Sequence, residues 1–329
     1  MWFDRLTGFR EETGEQVRAN IVVDGDTMSS SVNGRNFICG RLETPTLAEL
    51  RERVRGVGPM QGRLRLSEVV ANVQELHVDR ANAGALFQVA SQFNLLEMVS
   101  PSMTPEHGVD VYANDRTQGP ACAIACGAGT IYRNYFAEVN GRIGQSHDNQ
   151  IDCLRDLGTA LGNTDERLWV MRNGYALATA DGLREISERL SSIDESGRDA
   201  LRQKLRIGIQ WDTQVALDHA SHTVSQAYCS AVPVAYSPHS ADLWADFAKF
   251  VLEASYEAAM CATVLNFDSS GSNKTFLTLL GGGAFENRDD WIFSAIDRAL
   301  QRFSDVELDV AIVSYGSSQP RVQEMVKRR

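Results

Sequence analysis

The chain has 329 residues, 43% of them hydrophobic, and a formal net charge of −11, which is enough to bury a large core in one big domain or two. No stretch of about 18 apolar residues marks a membrane span, and the charged opening MWFDRLTGFREETGEQ has no apolar run of the kind a secretory signal needs. Asp and Glu are spread along the chain, the opposite of the basic footprint of a charge-driven nucleic-acid binder.

Residues 1–68 read as an appended unit. Asn20–Asp24 and Asn36–Leu42 are short strand candidates joined by polar residues that include Asn33-Gly34, a strong turn signal. Thr46 and Glu49 have capping-box spacing and open a helix through about Val54. Gly56, Gly58, Pro59 and Gly62 then break the pattern and mark a boundary. The unit is expected to be a structural extension that covers a sheet edge.

Val69–Val78 and Ala85–Gln92 follow as strands, with Phe93–Met98 running directly on. Ser100–Gly119 is polar, carries prolines and shows no clear periodicity. It is long for a connection in a compact domain, and such loops are more often functional than not. It leads into GPACAIACGAGTIYRNYF, Gly119–Phe136, where small residues allow close packing and Ile124, Ala128, Ile131 and Tyr135 keep helical spacing. Pro120 suits the first turn of that helix, and a loop entering a helix N-terminus is a candidate anion site.

Asp148–Leu161 reads as a helix, and Leu168–Ala178 as a strand pair or an irregular turn around Asn173-Gly174. Gly182–Leu190 is an amphipathic helix and Gly197–Arg206 a candidate further one. Ile207–Gln210 with Val215, and Thr223–Pro233, are strand material. Asp242–Val264 is the longest helix, Val306–Tyr315 the last strand, and the tail after Gly316 is polar. Alternating strands and helices predict an α/β or mixed three-layer sandwich with helices on both faces of the sheet.

The motif that stands out is TFLTLLGGGAFEN, Thr275–Asn287. Thr275–Leu280 reads as a buried strand, and Gly281, Gly282 and Gly283 interrupt it. Asn287, or Asp289–Asp290, can cap a helix whose apolar positions Trp291, Ile292, Ala295, Ile296, Ala299 and Leu300 keep helical spacing. A strand, a glycine loop and a helix N-terminus together suit an anion, usually a phosphate. The same residues also make a tight turn with no ligand. Ligands of α/β sheets sit beyond the carboxyl ends of strands, where Asn94, the loop Ser100–Gly119 and Gly281–Gly283 all belong. There an Asn can hydrogen-bond a sugar hydroxyl and glycines can wrap a diphosphate.

On these residues the chain resembles the macrodomain superfamily, including the poly(ADP-ribose) glycohydrolases. ALFQVASQFNLLE is similar to the family strand that ends in a ribose-contacting Asn, here Asn94. Gln118-Gly119-Pro120-Ala121 stands where a glycine-rich loop enters a helix, and Gly281-Gly282-Gly283-Ala284-Phe285 resembles the diphosphate loop with its aromatic. Trp291–Leu300 and Leu308–Tyr315 are similar to the closing helix and strand. The likeness covers roughly residues 69–316. It lacks the glycohydrolase signature of three glycines followed by Gln-Glu-Glu, and Ser100–Gly119 replaces a compact glycine run.

The resemblance implies a macrodomain-like three-layer α/β/α sandwich with a mixed sheet over 69–329, an N-terminal extension over 1–68, and an insertion at about 140–215. It implies ADP-ribose, or an ADP-ribosylated macromolecule, as partner, and no cofactor or metal. Gln92, Asn94, Gln118, Gly119, Gly281, Gly282, Gly283, Ala284, Phe285 and Asn287 are then the binding residues. Hydrolysis at C1″ of ADP-ribose passes through an oxocarbenium-like state and needs a carboxylate to protonate the leaving group or activate water. Glu97, three residues beyond Asn94, and Asp115, in the long loop, are the candidates, although each also fits a solvated or capping role. Phe285 and Tyr132 are candidates to stack on adenine or ribose, and as core aromatics they need no such role.

Six cysteines (Cys39, Cys122, Cys126, Cys153, Cys229, Cys261) without a secretion signal read as reduced, buried thiols in a cytosol. Cys122 and Cys126 have no second ligand pair at zinc spacing. The basic residues are nearly all Arg, with Lys at 204, 249, 274 and 327, which points to a GC-rich bacterial genome. Three function classes follow: an ADP-ribosyl hydrolase, a module that binds the nucleotide without turning it over, and a structural protein whose glycine loop is only a turn.

Overall fold

Runs of β-branched and aromatic residues set the strands, and among the described residues seven of them pair into one sheet. In chain order these are β1 (Arg41–Glu43), β2 (Arg65–Val70), β3 (Leu86–Ala90), β4 (Gly208–Gln214), β5 (Thr223–Cys229), β6 (Lys274–Leu277) and β7 (Asp309–Ser314). The computed structural model describes residues 1–58 and 60–329. Across the sheet the order is β1-β4-β5-β3-β6-β7-β2. The five strands from β5 to β2 run parallel, so their carboxyl ends share one edge. β4 is antiparallel to both β5 and β1. In β3, at the middle, Leu86, Phe87, Gln88 and Val89 are all fully buried, as expected of a parallel strand covered on both faces.

The helices that matter for the site are α1 (Leu47–Gly56), α2 (Gln118–Ala125), α3 (Gly127–Tyr135), α4 (Ala180–Ser192), α5 (Ala241–Ser270), α6 (Asp289–Arg302) and α7 (Pro320–Lys327). On one face α5 packs on β3, β5 and β6 and is flanked by α1, α4 and α6. On the other face α2 packs on β3 and α3 on β4. The result is a three-layer α/β/α sandwich around a mixed sheet. A second, smaller hydrophobic cluster joins Trp2, Phe3 and Leu6 to Leu96, Met98, Tyr112, Ile131 and Tyr135. The first residues of the chain therefore brace the segment that follows β3. No described helix is long and apolar enough to cross a membrane.

Several local expectations are met by identifiable contacts. Thr46 Oγ1 accepts from Glu49 N at 3.1 Å and Glu49 Oε2 accepts from Thr46 N at 2.7 Å, closing the capping box. Asn173 and Gly174 both take positive φ (48° and 79°) between the paired segments Trp169–Arg172 and Tyr175–Ala178, the geometry a two-residue hairpin prefers.

Others are corrected. Residues 1–68 do not stand apart from the sheet, because β1 is itself its edge strand and α1 packs on α5. The expected boundary at 56–62 includes Pro59, which lies outside the described residues. Asn36–Leu42 breaks at Gly40, whose φ is 75° and whose added Cβ would collide with the Trp211 carbonyl. Its first part, Asn36–Ile38, joins Thr27–Ser30 and Ile21–Asp24 in a separate three-stranded sheet. Val69–Val78 is a strand only to Val70. Asn72 then accepts from Gln74 N at 3.0 Å and caps the helix Val73–Val78. Gly119–Phe136 divides into α2 and α3 at Cys126, where ψ is 55°. Asp148–Leu161 is helical only over Arg155–Leu161. Before it, Ser146, Asn149 and Asp152 spend their side chains on nearby polar groups, a competition that disfavours helix. The polar tail forms α7. Glu68 accepts from Ser314 Oγ (2.6 Å), Ser318 Oγ (2.7 Å) and Gln319 N (2.8 Å) just ahead of it.

Candidate active site

Beyond the carboxyl ends of β3, β5 and β6 lies a cleft of about 250 Å³. Gln92, Glu97, Asp115, Gln118, Gly119, Gly281, Gly283, Ala284 and Phe285 line it, together with Ser91, Thr117, Tyr175, Ala231 and Tyr236. Stretches separated by nearly two hundred residues in sequence meet there because β3 and β6 are neighbours in the sheet.

The end of β3 shapes one wall. Its pairing with β6 stops at Phe87 and Phe276, and the side chain of Gln118 takes over the strand's free backbone groups. Ala90 N donates to Gln118 Oε1 at 2.9 Å, and Gln118 Nε2 donates to Gln88 O at 2.8 Å. A tight turn follows: Leu95 N donates to Gln92 O at 2.9 Å and Gln92 N to Leu96 O at 3.2 Å. Leu95 sits at φ 66°, a conformation that a branched side chain seldom adopts and that tends to mark functional sites. Asn94 was expected at the strand's end, facing the cleft. It lies beyond the end of β3 and is fully buried, with Oδ1 accepting from Leu96 N (3.1 Å) and Nδ2 donating to Gln150 Oε1 (2.9 Å). It holds the turn and does not line the cleft.

That turn delivers Glu97. Its backbone N–H donates to the Tyr112 hydroxyl at 3.0 Å, its side chain is 3% exposed, and Oε1 has no hydrogen-bond partner in the protein. Burial pushes the carboxyl well above the usual carboxylate range. Arg133 opposes that shift, Asp115 reinforces it, and the Ser91 hydroxyl opposes it more weakly. Burial thus disfavours the charged form of this carboxyl. Gly119 makes room for it: an added Cβ would stand 2.8 Å from Glu97 Cδ and closer still to Glu97 Oε2 and to the Ala90 carbonyl. Asp115 is half-buried at the same wall and accepts from Thr117 N at 2.8 Å. Thr117 makes no side-chain cap to α2, so the first amides of α2 stay free beside the cleft.

The glycine loop forms the opposite wall. Tyr256, which sequence alone places in the core, anchors its start by donating to Thr278 O (2.7 Å) and accepting from Leu280 N (2.8 Å). Gly281 has φ 75°, and a Cβ there would collide with Ala231 and Asn287. Among the described residues the amides of Gly281, Gly283, Ala284 and Phe285 donate to no protein acceptor. All four residues line the cleft, and free backbone donors grouped on one loop are of the kind that can hold an anion. Gly282 is exposed off the cleft, with its N–H on Leu279 O (3.1 Å). Asn287 is buried and fastens the loop by donating to Val232 O at 2.8 Å. It does not cap α6, and neither do Asp289 or Asp290. The N-cap position is Arg288, which makes no side-chain cap. The start of α6 does not line the cleft, whereas Gly281, Gly283, Ala284 and Phe285 of the loop do.

Phe285 sits in an aromatic triangle with Tyr175 and Tyr236, with ring centroids 4.9–5.6 Å apart. The Tyr175 hydroxyl donates to Met98 O at 2.7 Å. Neither tyrosine is signalled as a site residue by its sequence neighbourhood, because only the tertiary fold brings the hairpin and the Val234–Tyr236 turn to the glycine loop. Tyr132 belongs to the N-terminal cluster and does not line the cleft. Among the described residues no three His, Cys, Asp or Glu side chains gather in a metal-ligating group. Cys122 and Cys126 are buried thiols whose pKa burial pushes up.

No protein-family model matches the chain, and no curated protein matches it. Solved structures do. One is the poly(ADP-ribose) glycohydrolase from Thermomonospora curvata (TM-score 0.48, 10% identity, 96% of each chain covered). The same enzyme bound to the inhibitor ADP-HPD gives the same values. A mutant poly(ADP-ribose) glycohydrolase from Deinococcus radiodurans, in complex with ADP-ribose, gives a TM-score of 0.47 at 12% identity, covering 88% of this chain and 92% of that one. With every TM-score below 0.5 and identities of 10–12%, these matches decide nothing about this chain's chemistry, which has to be read from the cleft's own residues.

Proposed function

We propose that the chain binds ADP-ribose in this cleft and hydrolyses an ADP-ribosyl glycosidic bond at C1″. The observation that carries the reading is Glu97, a buried acid with one unpartnered oxygen lining the cleft opposite a row of free backbone donors. The glycine-loop amides suit a diphosphate, and the free first amides of α2 add donors from the other side. The Phe285–Tyr175–Tyr236 triangle offers an apolar, aromatic surface for a base. A nucleotide held at both ends in this way exposes its terminal ribose to the Glu97 wall.

The chemistry then follows from burial. Neutral Glu97 gives its proton to the leaving-group oxygen as the C1″–O bond breaks. The carboxylate so formed takes a proton from the water that attacks C1″, which restores the acid. Asp115, half-buried nearby, keeps the Glu97 proton affinity high between turnovers and adds negative charge near the oxocarbenium-like state. All six cysteines are buried and free, which fits a reducing compartment such as the cytosol. Titration calorimetry with ADP-ribose tests the binding step, and release of ADP-ribose from ADP-ribosylated protein tests the hydrolytic step. No binding at millimolar ligand overturns the whole reading. Binding without release leaves a reader of the modification in place of an enzyme.

A further inference from the structure

Behind the Glu97 turn, on α3, lies a charge that the proposed reaction has not yet used. Arg133 is 1% exposed. Its Nε donates to Leu95 O at 3.2 Å and its Nη2 to Thr130 Oγ1 at 3.0 Å. Its Cζ stands 3.8 Å over the ring of Tyr228, and Nη1 has no partner in the protein. Among the described residues no carboxylate oxygen lies within 4.0 Å of it. A guanidinium does not shed its proton in a protein, and burying one without an ion pair is costly. The fold keeps that cost directly behind the residue with positive φ, two positions before Glu97.

We infer that Arg133 is the positioning residue for Glu97: it clamps the left-handed turn at Leu95 that presents the carboxyl, and it is the buried counter-charge for the carboxylate that proton transfer leaves behind. The surroundings leave little else for that task. Tyr112 reaches Glu97 from the loop that follows it, and Cys122 on α2, Tyr228 on β5 and Tyr175 on the hairpin are near enough to feel its charge. Burial pushes every one of these phenols and thiols up, as it does the Cys126 thiol, so none carries charge at neutral pH. Ser91 offers a neutral hydroxyl and Asp115 an opposing negative charge. Without Arg133 the carboxylate would form with no positive charge among these neighbours and with Asp115 opposing it.

The inference rests on Glu97 being the working acid, so the test separates the two. Carbon-13 NMR titration of the Glu97 carboxyl is made on the ligand-free full chain, with Glu97→Gln identifying the signal, in wild type, Arg133→Met and Arg133→Lys. The titration midpoint is expected to rise by about one pH unit or more in Arg133→Met, a tenfold change in proton affinity, and to return most of the way in Arg133→Lys. A wild-type midpoint in Arg133→Met overturns the counter-charge role whether or not the protein turns anything over. Turnover then reads the clamp. Arg133→Lys keeps the charge without the planar fork, so kcat is expected to fall about tenfold or more with KM little changed. Wild-type kcat in Arg133→Lys overturns the clamp. Should Arg133→Met fail to fold, Arg133→Gln replaces it in the titration, with the same expected rise and the same refuting result.

Discussion

Gly119→Ala is the smallest change that puts the cleft's geometry under strain. Gly119 has an ordinary helical backbone, so alanine would normally favour the helix there. What forbids it is space. The new methyl would stand 2.8 Å from Glu97 Cδ and nearer still to Glu97 Oε2 and the Ala90 carbonyl. The Ala90 carbonyl does not yield cheaply, because it is backbone in a residue whose N–H is pinned to Gln118, and the Glu97 carboxyl, the free end of a side chain, has to move out of its place. Overpacking of this kind costs about 1–3 kcal/mol. Unfolding entropy near 60 °C is about 2.1 cal/mol/K per residue, so for 329 residues that cost lowers Tm by about 1–4 °C. The larger effect falls on turnover, since moving a catalytic group by about 1 Å can cost about 100-fold. Calorimetric Tm and kcat on ADP-ribosylated protein are the assays. Gly283→Ala is the stability control, because its Cβ meets nothing within 4 Å and its stability should stay within about 0.5 kcal/mol of wild type, under about 1 °C in Tm. Wild-type Tm and kcat in Gly119→Ala would refute the close approach between α2, β3 and Glu97.

Other expectations follow from the same walls. Burial raises the folded-state pKa of Glu97 above its ordinary 4.5, so its favourable contribution is complete below that value and is lost as pH rises toward the folded value. Glu97→Gln, which mimics the neutral acid, should therefore gain stability relative to wild type as pH rises from 5 to 8, by up to about 1.4 kcal/mol per pH unit, read as a rising Tm difference. Equal Tm at both pH values contradicts the buried-acid assignment. Tyr256→Phe removes the hydroxyl from Thr278 O and Leu280 N. It should cost about 1–3 kcal/mol of stability and weaken ADP-ribose binding by loosening the glycine loop; unchanged calorimetry on both counts would show the anchor to be dispensable. Phe285→Ala removes one member of the aromatic triangle. At about 1–3 kcal/mol per stacked base, the ADP-ribose Kd should rise by about fivefold or more, and an unchanged Kd places the base elsewhere.

Much of the fold was legible because its signals are local. The Thr46–Glu49 box, the Asn173-Gly174 turn and the apolar spacing of α5 and α6 act within a few residues, and the structure keeps them. What escaped depends on pairing. The end of β3 is set by where β6 stops, with Gln118 standing in as a partner, so composition alone carried the strand on to Asn94. β1 has three residues, too few for periodicity to show, and only its register with β4 makes it part of the sheet. At the cleft, the glycine loop stands out in sequence because three glycines in a row are poor in a helix or a strand, and Glu97 is reached through the resemblance, three residues beyond Asn94. Tyr175 and Tyr236 look like ordinary core residues, since nothing near them in the chain refers to Phe285. Asn287 illustrates the reverse case: its spacing suits a helix cap, and the loop uses its amide to reach Val232.

We propose a buried, neutral Glu97 as the acid that breaks an ADP-ribosyl bond in this cleft. The most direct test of that role is kcat for release of ADP-ribose from ADP-ribosylated protein by wild type and Glu97→Gln, with Kd for ADP-ribose measured on both. Loss of general acid catalysis predicts a fall in kcat of about 100- to 10,000-fold with Kd changed no more than about threefold. Wild-type turnover in Glu97→Gln would contradict it.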